Sequence, residues 1–318
     1  MRAVFLDYGT VAAGGDLDPA RLRAVLPGLE FYDTTADAEL DARIAGAAVV
    51  LHNKAQITRA RILANPALRL VALTATGTNN VDLEAARERE VAVCNIADYC
   101  TASVVQHVFA VLLALTHRLR EYDRALKAGA WERADRHPAP AFPVRELAGR
   151  TFGIVGYGTL GRGVARIAEA FGMQVLVAAR AGTAPAAGRL ELAALLPRVD
   201  VLSLHCPLTP ATRHLIGARE LALMKPDAVL INTARGGLVD VAALAAALRA
   251  ARLGGAAIDV LEEEPPLHGS PLLAPDLVNL IATPHSAWAA REARQRAIDE
   301  LAANVEAFLR GQRRNRVV

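Results

Sequence analysis

Cysteine is scarce in this 318-residue chain: Cys94, Cys100 and Cys206 are all there is, at irregular spacing. That excludes a disulfide framework, and no CxxC or His/Cys pair has the spacing of metal ligands. The expectation is buried thiols in a reducing cytoplasm, with no metal site. Long hydrophobic runs are missing too. The longest, Val108 to Leu115, lies between His107 and His117 and falls short of the roughly 18 residues a membrane span needs. No basic segment leads into an apolar stretch after Met1, so no signal peptide is expected. Lysine is almost absent. Lys54, Lys127 and Lys225 are the only three among 36 basic residues, and the arginines are scattered along the chain rather than clustered. With a net charge of only +3, this argues against nucleic acid as a partner. No internal repeat and no low-complexity linker appears.

What is present is apolar and alternating. Hydrophobic residues make up 53% of the chain and charged residues 22%, enough to bury a sizeable core, and the length suits about two domains. In the first 97 residues, strand-length apolar runs (Ala3–Leu6, Ala47–Leu51, Leu70–Leu73, Val91–Cys94) are separated by helix-period segments such as Pro19–Leu26 and Thr58–Leu63. Near-continuous apolar strands alternating with helices predict a parallel sheet covered on both faces. Thr101–Lys127 contains no Gly or Pro and predicts one long rigid helix. The proline-rich stretch Arg133–Pro143 predicts a surface loop. A second series follows, with strands at Thr151–Val155, Gln174–Ala179, Val199–Cys206, Ala228–Asn232, Gly255–Val260 and Leu277–Thr283. The fold class is therefore α/β, with doubly wound parallel sheets.

The first chemical signal is Gly156-Tyr157-Gly158-Thr159-Leu160-Gly161. It leaves a predicted strand and opens a predicted helix, the context in which GxGxxG binds a dinucleotide. Gly156 allows the tight turn, Gly158 lets backbone approach a pyrophosphate, and Gly161 allows close packing of helix on strand. The next strand ends Ala178-Ala179-Arg180, without the acid that grips the ribose of NAD. Arg180 in that place suits a 2′-phosphate and favours NADP(H); otherwise it stacks on adenine or faces solvent.

The second signal is Arg235, Glu264 and His285, near the ends of successive strands, with Asp259 closing another. Strand carboxyl ends in such a sheet converge on the dinucleotide crevice. Hydride exchange between a carbinol and nicotinamide leaves one proton to move, and histidine suits that task near neutral pH. A carboxylate on its other ring nitrogen fixes the tautomer and stabilises the imidazolium. An arginine fork can hold a substrate carboxylate and polarise the adjacent carbonyl. The set specifies a 2-hydroxy or 2-oxo acid rather than a simple alcohol.

These segments resemble the D-isomer-specific 2-hydroxyacid dehydrogenases from end to end. The resemblance rests on Gly156–Gly161, Ser203–Thr209, Asn232–Asp240, Asp259–Pro266 and Thr283–His285. It is strongest towards glycerate dehydrogenases, also called hydroxypyruvate reductases, at Thr74–Asp82, Asn232–Asp240 and His285–Ala289. It implies a Rossmann nucleotide domain (98–287) inserted in a flavodoxin-like substrate domain (1–97 plus 288–318). It implies Arg235, Glu264 and His285 as catalytic residues, and hydroxypyruvate or glyoxylate as the substrate reduced to D-glycerate or glycolate. Further cofactor contacts would fall on Thr76, Thr159, Leu160, Cys206, Pro207, Thr233, Ala234 and Asp259. Backbone amides at Thr76 and Gly77 would hold the substrate carboxylate, with Asn53 and Lys54 in a second loop nearby. A cytoplasmic homodimer is implied. Another 2-hydroxy acid, or a non-catalytic dinucleotide sensor like the C-terminal-binding-protein corepressors, is the alternative. Two features depart from the family pattern: the acid-free end of the second nucleotide-domain strand, and Glu90 where relatives carry Gly. A rearranged turn is expected at Glu90, because a left-handed conformation costs a side chain about 1 kcal/mol or more.

Overall fold

A computed structural model describes residues 1–12, 14–132 and 141–318. Most of the predicted loop at 133–143 thus lies outside the described residues. The chain divides into two compact units, Met1–Cys100 with Trp288–Val318, and Thr101–Ala287.

The first unit is a five-stranded sheet of β1 (Ala3–Phe5), β2 (Leu29–Phe31), β3 (Val49–His52), β4 (Leu70–Leu73) and β5 (Ala92–Cys94). All pairings are parallel, in the order β2-β1-β3-β4-β5. That is the flavodoxin-like order. The strands read as unbroken apolar runs because both faces are covered. Phe5, Leu51 and Leu70 pack with Leu22 of α1 (Ala20–Val25) and with Ile298, Leu301 and Val305 of the last helix (Arg291–Leu309). On the other face Val4, Val50, Val71 and Val93 pack with Leu40 of α2 (Asp37–Ile44), Ile62 of α3 (Arg59–Ala64) and Ala85 of α4 (Leu83–Glu88). The turn after α4 keeps its shape despite Glu90. Glu90 adopts φ 54° and donates to the Arg87 carbonyl at 3.1 Å, while Val91 N–H reaches Ala86 O at 2.8 Å. The expected rearrangement is absent; two backbone hydrogen bonds and the buried strand behind them outweigh the side-chain strain.

The second unit holds β6 (Thr151–Val155), β7 (Gln174–Val177), β8 (Val201–Leu204), β9 (Val229–Asn232), β10 (Gly255–Ile258) and β11 (Leu280–Ala282). They form a six-stranded parallel sheet in the order β11-β10-β9-β8-β6-β7. A single-residue parallel bridge, Ala178 to Leu190, extends the β7 edge by one more position. The layout is thus doubly wound, reversing direction beside β6.

The single helix predicted over Thr101–Lys127 is two. α5 (Thr101–Thr116) ends where Arg118 turns left-handed at φ 54°, and α6 (Leu119–Lys127) departs at 56°. The cause is burial rather than a breaker residue. Val104, Val108, Phe109, Leu112 and Leu115 bury a stripe of α5, whereas α6 buries no residue. At the end of that stripe the Thr116 carbonyl accepts from Arg145 N–H at 3.0 Å instead of continuing the helix ladder. Phe109 stacks on Phe152 of β6 and on Phe171, which follows α7 (Thr159–Ala170). Among the described residues no single helix is long and apolar enough to cross a membrane.

Candidate active site

β6 hands the chain to a turn that only glycine fits. Gly156 has φ 93°, and a Cβ there would stand 2.5 Å from His205 C and Cys206 N at the end of β8. Gly158 caps α7, and no heavy atom lies within 4 Å of where its Cβ would stand. At Gly161 a Cβ would collide with Gly156 O at 2.1 Å. The helix start is therefore packed closely on the turn, with open space beside Gly158. At the end of β9, the buried Thr233 Oγ1 has no hydrogen-bond partner among the described residues. An open helix N-terminus after β6 and an orphaned buried hydroxyl at the end of β9 both fit a dinucleotide, whose pyrophosphate the helix dipole favours.

His205 and Cys206 back this turn. The His205 ring accepts from or donates to Ser203 Oγ at 2.9 Å, and burial pushes its pKa down to about 4, so it is a neutral packing group. Burial pushes the Cys206 thiol up, which keeps it protonated. Ala179 and Arg180 follow β7 as expected, with Arg180 exposed.

The candidate proton-transfer pair, His285 and Glu264, is brought together from the segments that follow β11 and β10. His285 Nδ1 lies 2.6 Å from Glu264 Oε2, and both side chains are about one-third exposed or less, at 27% and 32%. An ionised carboxylate can only accept, so Nδ1 carries the hydrogen and Nε2 is left for chemistry. The other Glu264 oxygen accepts from Leu261 N–H at 2.8 Å, which fixes the carboxylate. His285 itself sits at φ 52°, with its N–H donating to Asp259 O at 2.7 Å. The Asp259 carboxylate is buried and takes the amides of Ser286 and Ala287 at 2.8 and 2.9 Å and the Thr283 hydroxyl at 2.5 Å. Asp259 thus braces the histidine loop through both oxygens. Arg235 follows β9. Asn232 clamps its backbone by donating to Arg235 O at 2.9 Å, and the guanidinium donates to Ala234 O at 2.7 Å. Among the described residues no carboxylate pairs with it. Gly236 lets this loop press on the next: a Cβ there would fall 2.0 Å from Leu261 C.

In the first unit, Thr76 and Gly77 follow β4. Thr76 Oγ1 donates to Ile96 O at 2.8 Å, and Asn95 Nδ2 donates to Thr76 O at 2.7 Å. The N–H groups of Thr76 and Gly77 bond no partner among the described residues, which leaves two adjacent amides for an anion. Asn53 is buried, and its amide donates to Thr10 Oγ1 at 2.9 Å, so its side chain braces the loop. Lys54 is exposed beside it.

A family model for the NAD binding domain of D-isomer specific 2-hydroxyacid dehydrogenases matches residues 109–287. The chain is 42% identical to a glycerate dehydrogenase of Methylorubrum extorquens, over 90% of each chain. It is 37% identical to a hydroxypyruvate reductase of Blautia hydrogenotrophica, over 98% of each. Among solved structures, an acyclic imino acid reductase in complex with NADPH and D-Arg superposes with TM-score 0.87 at 28% identity, covering all of both chains. The chain belongs to the D-isomer-specific 2-hydroxyacid dehydrogenases.

As a family member the chain is an oxidoreductase that binds a nicotinamide dinucleotide. Sequence reasoning did not foresee several contacts within this dehydrogenase. Asp7 is buried and collects the amides of Asn53, Lys54 and Ala55 at 2.8, 2.6 and 2.9 Å, fixing the whole 53–55 loop. Thr283 and His107 complete the surroundings of Asp259, with His107 Nε2 at 3.3 Å from Thr283 Oγ1. Thr283 lies in the Thr283–His285 segment and His107 in an apolar helix, but nothing local announces that either meets Asp259. Trp288 packs edge-on to Tyr99, ring centroids 6.4 Å apart, within the first unit.

Proposed function

We propose that the chain is an NAD(P)H-dependent reductase of small 2-oxo acids, taking hydroxypyruvate to D-glycerate or glyoxylate to glycolate. The observation that carries the reading is the 2.6 Å bond between His285 Nδ1 and Glu264, with Arg235 after β9 lacking a carboxylate partner among the described residues. The relatives' activities as glycerate dehydrogenase and hydroxypyruvate reductase support the substrate class.

When bound, the cofactor supplies a hydride to the carbonyl carbon, or takes it back in the oxidative direction. The α7 N-terminus, Gly158 to Leu160, holds the pyrophosphate, and Thr233 offers its hydroxyl. Cys206, Pro207 and Ala234 line the same strand ends. Arg235 grips the substrate carboxylate and draws electron density from the adjacent carbonyl. His285 gives its Nε2 proton to the carbonyl oxygen, and Glu264 stabilises the imidazolium while fixing its tautomer.

The cofactor reading favours NADP(H). Ala179 has no carboxylate to accept the ribose hydroxyls or to repel a 2′-phosphate, and Arg180 is exposed beside it. Steady-state assays with hydroxypyruvate, glyoxylate, pyruvate and a bulkier 2-oxo acid, each with NADPH and NADH, test both readings. Highest kcat/KM on hydroxypyruvate or glyoxylate is expected, with NADPH at least as good as NADH. Ala179→Asp should reverse the cofactor order. No turnover on any 2-oxo acid would end the enzymatic reading; a tenfold wild-type preference for NADH would end the cofactor one.

The chain also forms a homodimer in this reading. The amphipathic α6 buries nothing, and Leu119, Leu126 and Trp131 stand 55%, 43% and 58% exposed. Sedimentation equilibrium should give twice the mass of one chain, and Leu126→Glu should lower it.

A further inference from the structure

The carboxyl end of β7 is crossed by a pair of side chains from its two flanking elements. On one side β6 runs beside β7, with Ile154 opposite Val177. On the other, Leu190 N–H donates to Val177 O at 3.0 Å and Ala179 N–H donates to Leu190 O at 2.7 Å. Tyr157 stands two residues past β6, and Arg189 one residue before that bridge. Yet the Arg189 guanidinium carbon lies 4.7 Å from the centre of the Tyr157 ring. A contact between the two neighbours of β7, made beyond its last residue, spans the strand end at Ala178 and Ala179. Both side chains are half-buried. The Tyr157 carbonyl is tied to Arg162 Nη1 at 3.2 Å, which holds the platform in place.

The charge balance at this spot is one-sided. Among the described residues no carboxylate pairs with Arg189 or with Arg180, and Ala179 supplies none. Stacking uses the face of a guanidinium and leaves its in-plane N–H groups free. A cation already seated on an aromatic ring loses less freedom on binding than an extended one. In an open α/β sheet the dinucleotide lies outside these strand ends, with the ribose that distinguishes NAD from NADP beside the end of the second strand.

We propose that Arg189, seated on the Tyr157 ring, selects the cofactor by hydrogen-bonding the 2′-phosphate of NADP(H), jointly with Arg180. This rests on the NADP(H) reading above and adds a residue outside the Gly-rich motif and outside the strand end where selection is usually sought. A charged fork on a phosphate dianion gains a charge-assisted bond that a 2′-hydroxyl cannot match.

The experiment is calorimetric titration of the full chain with NADPH, NADH and 2′,5′-ADP, in wild type and in Arg189→Gln, Tyr157→Phe and Tyr157→Leu. Arg189→Gln should weaken NADPH and 2′,5′-ADP about tenfold relative to NADH. Tyr157→Leu should shift the same ratio by roughly threefold through loss of the stacking platform; Tyr157→Phe, which keeps the ring, should leave the ratio in place. Equal weakening of all three ligands in Arg189→Gln would make Arg189 a general structural residue and overturn the proposal. An unchanged ratio would overturn it as well. The wild-type preference tests the NADP(H) reading separately, because the ratio shift and the 2′,5′-ADP affinity are measurable whichever cofactor wild type prefers.

Discussion

His285 occupies a backbone conformation that costs a non-glycine residue on the order of 1–3 kcal/mol, at φ 52°. The surroundings over-determine it. Its own N–H is taken by the Asp259 carbonyl, and the two amides after it are taken by the Asp259 carboxylate. These bonds fix the backbone that carries the imidazole, and Glu264 holds the ring through Nδ1. His285→Ala should lower kcat about 10²–10⁴-fold while cofactor titration still shows binding. At Arg235, a lysine keeps the charge but cannot make the planar two-pronged contact. Arg235→Lys should raise KM for the 2-oxo acid and lower kcat together, read from steady-state kinetics. Wild-type constants in that variant would remove Arg235 from the site.

At the scale of elements, two turns differ from expectation for the same reason: tertiary contacts overrule local preference. α5 stops at Thr116 because its buried stripe stops, with no glycine or proline at the break. The α4–β5 turn holds Glu90 left-handed because Val91 must enter the sheet buried. Since Glu90 is exposed and carries only the conformational strain, Glu90→Gly should stabilise the first unit by about 0.5–1 kcal/mol. The gain is net of the extra chain entropy glycine brings to the unfolded state. A rise in the urea midpoint at unchanged slope is the expected result, and a fall would mean that the Glu90 side chain makes a stabilising contact.

For the whole molecule, burial keeps one histidine in each unit neutral among the described residues. Burial holds His52 at about 4, against the opposing charge of Asp7, and His205 at about 4. In the unfolded chain such groups titrate near 6.5. Between these values the unfolded state binds more protons, so stability is full above about pH 6.5 and is lost as pH falls towards 4. At pH 5 the loss is roughly 2 kcal/mol per histidine. Urea midpoints should therefore fall between pH 7.5 and 5, and His205→Gln should flatten that dependence in the second unit. Coincident midpoints at the two pH values would mean the buried rings accept protons freely.

Much of this protein was legible from order along the chain. Apolar runs alternating with helical segments imply parallel sheets, because a strand buried on both faces needs no polar side chains. GxGxxG between β6 and α7, and the strand-end positions of Arg235, Glu264 and His285, are local patterns that carry their own chemistry. β2 was not legible: with three residues, Leu29, Glu30 and Phe31, it is too short to display a period. Nor were the groups that act through distance in sequence. Asp7 reaches a loop 46 residues away, Thr283 reaches Asp259 across 24, and Tyr157 meets Arg189 only because β7 lies between β6 and the Leu190 bridge. A side chain's chemistry is written in its residue type. Which partners surround it depends on strand order and register, and those are set by burial of the whole sheet.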